Sequence, residues 1–383
     1  MKVGVKVFGL LGLLLLEALS AEAQVTIEIR KLPECTPAQD TLFLAGNLNN
    51  WNPRATNFAF TKAANHRYYL ALPAGSGKLE FKITRGSWET GETLASGAGR
   101  ENRVYTPGPG KDTLRLEVEN WQDNFAPVAK VHTAAANVQV LDNAFWMPQL
   151  NKSRRIWLYL PPDYETSGKK YPVLYMHDGQ NLFDAFYSYS GEWSIDESLN
   201  QLFNTEGREV IVVGIDNGGE ERMNEYTPWR NTKYGGGKGD AYVDFLAQTL
   251  KPYVDAHYRT LPGQTHTGIA GSSMGGLISL YAALKYPKVF GKVGVFSPAF
   301  WVSPELYDYV AKTKPSKKLK LYLVAGAKES EEMVPDMARM RDLLIKRGLK
   351  PSALKYQVDA DGEHKESYWQ REFPGVFKWL FSK

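Results

Sequence analysis

The hydrophobic period of this chain changes once, near Asn137, and that change limits the fold more than any other feature. Before it the period is two. Val25, Ile27 and Ile29 alternate with polar residues, as do Leu114, Leu116 and Val118, and Tyr68–Leu72 and Leu79–Ile83 are further short β-rich runs. Turn clusters at Asn49–Pro53, Pro73–Gly77 and Pro107–Lys111 separate them. Short strands at this spacing predict an all-β sandwich over residues 24–122. After Asn137, apolar runs at Ile156–Leu160, Pro172–Met176, Val210–Ile215, Gly268–Ala270, Val293–Phe296 and Leu319–Ala325 alternate with helical stretches. Gly239–Tyr258 puts Tyr242, Phe245, Leu246, Leu250 and Tyr253 on one face, and Met333–Arg347 is amphipathic up to Gly348. This alternation predicts an α/β domain over 137–383, a mostly parallel sheet flanked by helices. Residues 123–136, with Pro127 and a run of alanines, read as the linker. Two domains also suit the 383 residues.

The first residues stand apart from both patterns. Lys2 and Lys6 precede the apolar run Val7–Leu16, and Ala21-Glu22-Ala23 supplies a small-x-small cleavage pattern. Residues 1–23 therefore read as a secretory signal peptide, with Gln24 the first mature residue. The run is shorter than the roughly 20 residues that span a bilayer. Glu34 stands where a small residue would precede a lipidated Cys35. The expectation is an exported protein, periplasmic or secreted, without membrane attachment after cleavage. The single cysteine, Cys35, excludes an intrachain disulfide and a thiolate zinc cluster. A net charge of +4, from 46 basic against 42 acidic residues, is too mild for a dedicated nucleic-acid binder.

Chemistry concentrates at Thr267–Gly276, where G-x-S-x-G surrounds Ser273 between an apolar strand and a helix carrying Leu277, Leu280, Tyr281 and Leu284. A serine on a strained strand-to-helix turn projects its hydroxyl above the sheet, and flanking glycines admit the close backbone. The helix amino terminus offers N–H groups and partial positive charge to a developing oxyanion, Met274 N–H among them. A serine needs a base, and in this arrangement the partners follow in the order serine, acid, histidine. Of six histidines only His364 follows Ser273; His66 and His132 precede the second domain, and His257 and His266 precede the elbow. The acid should lie just past a strand, which favours Glu329 after Leu319–Ala325, with Glu331, Glu332, Asp336 and Asp359 as rivals. A second oxyanion donor is expected after Tyr171–Met176, from Gln180 N–H with Gly179 as neighbour, while His177 reads as structural. Such chemistry requires neither metal nor organic cofactor.

Residues from about Asn137 to the end resemble the putative-esterase family of α/β hydrolases. That family includes enterochelin esterases, feruloyl and acetyl-xylan esterases, S-formylglutathione hydrolases and mycolyltransferases. The resemblance rests on Tyr159–Tyr164 (YLPPDY), Met176–Gln180 (MHDGQ), Gly271–Gly276 (GSSMGG), Phe296–Pro298 (FSP), Gly326–Glu329 (GAKE) and Gly362–His364 (GEH). It implies an α/β-hydrolase fold and a serine esterase whose acid is aspartate or glutamate.

Loops after the strands carry Asp216, Asn217, Arg222, Glu225, Tyr226 and Trp229 on one side, and Phe300 and Trp301 on the other. Aromatics with a few polar groups would suit a planar or glycosyl ester; the alternative is ordinary loop packing with an Arg222–Glu225 pair. Tyr234–Gly239 lacks the spacing of a phosphate-binding loop and reads as a mobile loop. In the first domain, Gly46–Trp51, Leu79–Lys82, Trp88-Glu89 and Asn102-Arg103 resemble starch- and glycogen-binding modules of the immunoglobulin-like sandwich type. That resemblance implies a sugar-binding surface of Trp51, Lys82, Trp88, Glu89 and Asn102, and possible contact with polysaccharide. The alternative puts Trp51 and Trp88 in the module's core. The expectation is an exported serine carboxylic-ester hydrolase acting on a small-molecule or glycosyl ester, with acyl esters of carbohydrates favoured. A siderophore esterase of the enterochelin type is one alternative, and a non-catalytic carbohydrate-binding protein on a hydrolase scaffold is another.

Overall fold

The computed structural model describes residues 23–382 except 50, 74–75, 109, 127–129 and 233. The expected signal peptide, apart from Ala23, and parts of the three expected turns lie outside the described residues. The chain divides into two compact units, Met1–Ala129 and Lys130–Lys383.

The described residues of the first unit form a four-stranded sheet, a three-stranded sheet and a two-stranded pairing of Glu92–Thr93 with Asn120–Trp121. Strand β1 (Ala23–Lys31) pairs antiparallel with β3 (Tyr68–Pro73) and parallel with β6 (Asp112–Glu117). Between β2 (Phe43–Gly46) and β5 (Arg103–Tyr105) runs β4 (Leu79–Thr84), antiparallel to both. The period-two pattern sends Val25, Ile27 and Ile29 from the four-stranded sheet and Leu79, Phe81 and Ile83 from the three-stranded one into one buried cluster.

The second unit is built on an eight-stranded mixed sheet. Its strands are β7 (Val138–Met147), β8 (Lys152–Tyr159), β9 (Val173–His177), β10 (Ile211–Ile215), β11 (Thr267–Ser272), β12 (Lys292–Phe296), β13 (Lys320–Gly326) and β14 (Leu354–Asp359). They lie in the order β7-β8-β10-β9-β11-β12-β13-β14; β7 and β8 run antiparallel to their neighbours and the rest are parallel. The central strands are apolar on both faces except at their ends, where His177, Thr267, Ser272 and Lys292 stand, because both faces are covered. Val173 and Tyr175 enter one core cluster and Leu174 and Met176 the other; Leu321 and Leu323 oppose Tyr322 and Val324 in the same way. Strand β7 had no predicted counterpart, since most of its residues are at least partly exposed and its pairing with β8 is interrupted by irregularities.

The helices used below are α1 (Ile195–Glu206), α2 (Gly239–Phe245), α3 (Lys251–His257), α4 (Met274–Lys285), α5 (Met333–Lys346) and α6 (Glu366–Leu380). A π-helical stretch, Leu246–Leu250, joins α2 to α3. The closing helix begins eight residues before Pro374, which lies inside it. An internal proline costs about 3 kcal/mol. Burial of Trp369, Phe373, Val376, Phe377 and Leu380, each contributing roughly 1.5–3 kcal/mol, outweighs that cost. The glycine-rich stretch expected as a mobile loop contributes Gly235–Gly236 to a two-stranded ribbon with Arg230–Asn231.

Residues 123–136, expected as linker, straddle the division between the units. After it the chain docks on the second unit: Lys130 Nζ donates to Ser188 O at 2.8 Å, and Ala135 N–H to Asp196 Oδ2 at 2.7 Å.

Candidate active site

The parallel register brings the carboxyl ends of β9 and β11–β14 to one edge of the sheet. There Ser272 pairs with Phe296 and Gly326 with Asp359. Ser273 follows β11 with φ 56° and ψ −121° and caps α4. This conformation is strained for any residue with a Cβ. The strand-to-helix turn is close enough to need its glycines: a Cβ on Gly271 would lie 3.0 Å from the Gly275 carbonyl carbon and 3.0 Å from His177 Cδ2. Met274 is the first residue of α4, where N–H groups have no intrahelical acceptor.

Past β13, Glu329 folds back, with its side chain 1% exposed. Its Oε1 accepts Gly326 N–H at 2.6 Å and Ser297 Oγ–H at 2.6 Å, and its Oε2 lies 2.6 Å from His364 Nδ1. Ser297 in turn accepts the Trp369 Nε1–H at 2.8 Å. The His364 ring stands edge-on to Trp369 at 5.0 Å. Backbone contact sets the two loops together: a Cβ on Gly326 would lie 2.1 Å from Gly362 O, and Lys328 N–H donates to that same oxygen at 3.1 Å. Of the five carboxyls weighed for the acid, Glu329 is the one in contact with His364. Ser297 and Trp369 had no predicted role, although the Phe296–Pro298 motif was the available signal.

Ser273 and His364 line a cavity of about 860 Å³. Asp216, Asn217, Arg222 and Gln180 also line it, joined by Arg155, Tyr187, Tyr189, Ser190, Trp193, Glu366 and Trp369. None of this second group was singled out from sequence. The others proposed for the pocket lie elsewhere. Glu225 is buried where Arg154 Nη2 reaches both its oxygens at 2.7 Å. Phe300 is fully buried in the core, and Trp229 packs on Tyr281 and Tyr309. Trp301 is exposed and meets Tyr234 edge-on. Gly179 is buried rather than in the cavity wall, since a Cβ there would lie 2.8 Å from Asp216 N.

Charges in the cavity wall are held in pairs. Arg222 grips Asp178 with two hydrogen bonds of 2.7 and 2.8 Å, in place of the Arg222–Glu225 pair considered above. Burial opposes ionisation of Asp178, but Arg222 and Asn217 outweigh it and hold the carboxyl below its ordinary value. Burial pushes Asp216 up against the opposing charge of Arg155, and Glu366 up against the hydrogen bond from Ser190. His177, under the turn, is pushed down to about 3 by burial, with Nδ1 2.9 Å from Tyr242 Oη; it is a neutral packing residue. Among the described residues, the group spaced to suit a metal ion is Glu192, Asp196 and Glu197, beside the cavity wall.

In the first unit, Trp51 and Trp88 lie outside the buried core, half-exposed, with ring centroids 6.5 Å apart. Lys82 is half-buried on β4, and Glu89 and Asn102 are exposed. Phe81 pairs with Arg103, so Lys82 follows that pair on β4 and Asn102 immediately precedes β5.

Comparison with known proteins agrees with this architecture. The family model described as "Putative esterase" matches residues 148–380. The uncharacterized protein YbbA of Bacillus subtilis is 29% identical over 251 residues, covering 60% of this chain and 94% of YbbA. A 94-residue stretch, 24% of this chain and 7% of the relative, is 40% identical to an alpha-amylase of Niallia circulans. The fold resembles that of the enterobactin esterase FES of Shigella flexneri, with TM-score 0.53 and 17% identity, covering 89% of this chain and 88% of that one. With the family model covering more than half of its length, this chain belongs to the "Putative esterase" family and is a carboxylic ester hydrolase.

Proposed function

We propose that the protein is an exported serine esterase that hydrolyses acyl esters of carbohydrates. Ser273 Oγ attacks the ester carbonyl while His364 Nε2 takes its proton, and Glu329 holds the imidazole through Nδ1–H and stabilises the imidazolium. Met274 and Gln180 N–H groups receive the tetrahedral oxyanion. Collapse of the intermediate expels the alcohol, which takes the proton from His364. Water activated by the same imidazole then cleaves the acyl-enzyme. The observation that carries this reading is the 2.6 Å Glu329–His364 contact at the cavity that Ser273 also lines. A fluorophosphonate should label the protein at neutral pH, and Ser273→Ala should abolish labelling. An unlabelled wild-type protein would favour the non-catalytic alternative.

The sugar assignment rests on aromatic walls interleaved with paired charges, on the likeness to an alpha-amylase, and on the leader pattern of residues 1–23. The structural likeness to an enterobactin esterase favours a second reading, hydrolysis of siderophore esters. A panel of acetylated and feruloylated sugars against catechol esters decides between them: the higher kcat/KM identifies the substrate class.

The first unit is read as an immunoglobulin-like sandwich that binds polysaccharide through Trp51 and Trp88, with Lys82, Glu89 and Asn102 fixing hydroxyls. In affinity electrophoresis through starch, Trp51→Ala and Trp88→Ala should each weaken retardation about tenfold or more, as buried aromatic anchors do. Hydrolysis of a small soluble ester should not change. Unaltered mobility of both variants would remove the sugar-binding role.

A further inference from the structure

Three carboxylates meet where the cavity wall turns into α1. Glu192 precedes Trp193, which lines the cavity, while Asp196 and Glu197 lie in the first turn of the helix. One oxygen from each lies within 4.8 Å of the others. Asp196 is fully buried; its Oδ2 accepts Ala135 N–H at 2.7 Å, while its Oδ1 meets no N–H or O–H donor of the protein and the carboxyl lies against that of Glu197. Thr133 Oγ1 touches both Glu192 oxygens at 3.0 and 2.9 Å and accepts Ala185 N–H at 2.8 Å. Two nearby basic side chains are engaged elsewhere: His132 Nδ1 lies 2.7 Å from Asp184 Oδ2, and Lys130 Nζ donates to Ser188 O at 2.8 Å.

Ionised together, the three carboxylates, one of them out of water, would need a counter-charge. The amino terminus of α1 offers only about half an elementary charge. We propose that Glu192, Asp196 and Glu197 form a calcium site. Calcium binds oxygens at about 2.3–2.6 Å, so oxygens up to 4.8 Å apart can share one ion. Bidentate carboxylates, the Thr133 hydroxyl and water can fill its six to eight positions. Magnesium, at about 2.0–2.1 Å, spans roughly 4.2 Å and demands octahedral order. With no histidine or cysteine in the set, zinc is not favoured. The ion would tie the segment Thr133–Ala135 to the loop that carries Tyr187, Tyr189, Ser190 and Trp193, and so stiffen one wall of the substrate cavity.

The test is calorimetric titration and thermal melting of the full chain after chelator treatment, with calcium or magnesium chloride. One calcium should bind per chain with Kd about 10⁻⁴–10⁻³ M or tighter, the range of extracellular calcium modules. A tenfold excess over Kd should raise Tm by about 3–6 °C. Magnesium at equal concentration should give less than about a third of that shift. Glu192→Gln and Glu197→Gln, which leave the buried Asp196 intact, should each weaken calcium binding about tenfold or more. Absence of calcium-dependent heat and Tm shift up to about 10 mM overturns the site. So does equal affinity in both variants, or an equal response to magnesium; the carboxyls would then be neutralised by shared protons.

Discussion

Ser273→Ala is expected to lower kcat by about five to six orders of magnitude at nearly unchanged KM. Removing the hydroxyl deletes the covalent route, and the remaining catalysis is that of the oxyanion donors and substrate binding, roughly 10³–10⁴ over water. Folding should survive, because Ser273 is only half-buried and alanine bears the same Cβ at φ 56°, so the turn is no more strained than before. The expected change in stability is within about 0.5 kcal/mol. Steady-state kinetics on the best ester of the panel, paired with a thermal melt, measures both. A loss of only a few-fold in a folded variant removes Ser273 from the chemistry.

Glu329→Gln is expected to cost about 10³–10⁴ in kcat at neutral pH, through a tautomer rather than through lost packing. Gly326 N–H can only donate, so the amide oxygen must take the place of Oε1. That leaves the NH₂ group facing His364 Nδ1, where Oε2 stands in the native protein. Nδ1 then becomes an acceptor, the ring proton moves to Nε2, and the nitrogen meant to receive the serine proton already carries one. A comparable acid-to-amide change in a serine protease triad gives a drop near 10⁴. Nitrogen NMR of the imidazole should report the Nε2–H tautomer in the variant and the Nδ1–H tautomer in the wild type. Activity within tenfold of wild type, with the tautomer unchanged, would count against the orienting role of Glu329.

Several features were legible because they are written in neighbouring residues. An apolar run, a glycine-flanked serine and a largely apolar helix lie within about twenty positions, so hydrophobicity and turn chemistry identify that strand–turn–helix unit. Pro374 shows where such reading stops: the local rule opens a helix there, but five buried apolar side chains carry α6 through it.

Beyond Gln180, Asp216, Asn217 and Arg222, the cavity wall could not be read in this way. Trp193, Glu366 and Trp369 join Ser273 only because the chain near 190 and the chain near 366 meet above the same sheet edge; Ser190 Oγ donates to Glu366 Oε1 at 2.5 Å across 176 positions. Nothing local distinguishes Phe300, sealed in the core, from Trp193, which faces the cavity. Charge pairing was equally non-local. Arg222 and Glu225 sit three apart, yet each finds its partner on another strand or loop, Asp178 and Arg154 respectively.

The sequence by itself determined the alternation of strands and helices after β7, the two hydrophobic periods and the esterase motifs, since each is carried by residues in local register. Tertiary structure alone decided the strand order, the partners of the buried charges and which aromatics face the cavity. Those depend on contacts between segments tens to hundreds of residues apart, chosen by the packing of two apolar faces on one sheet.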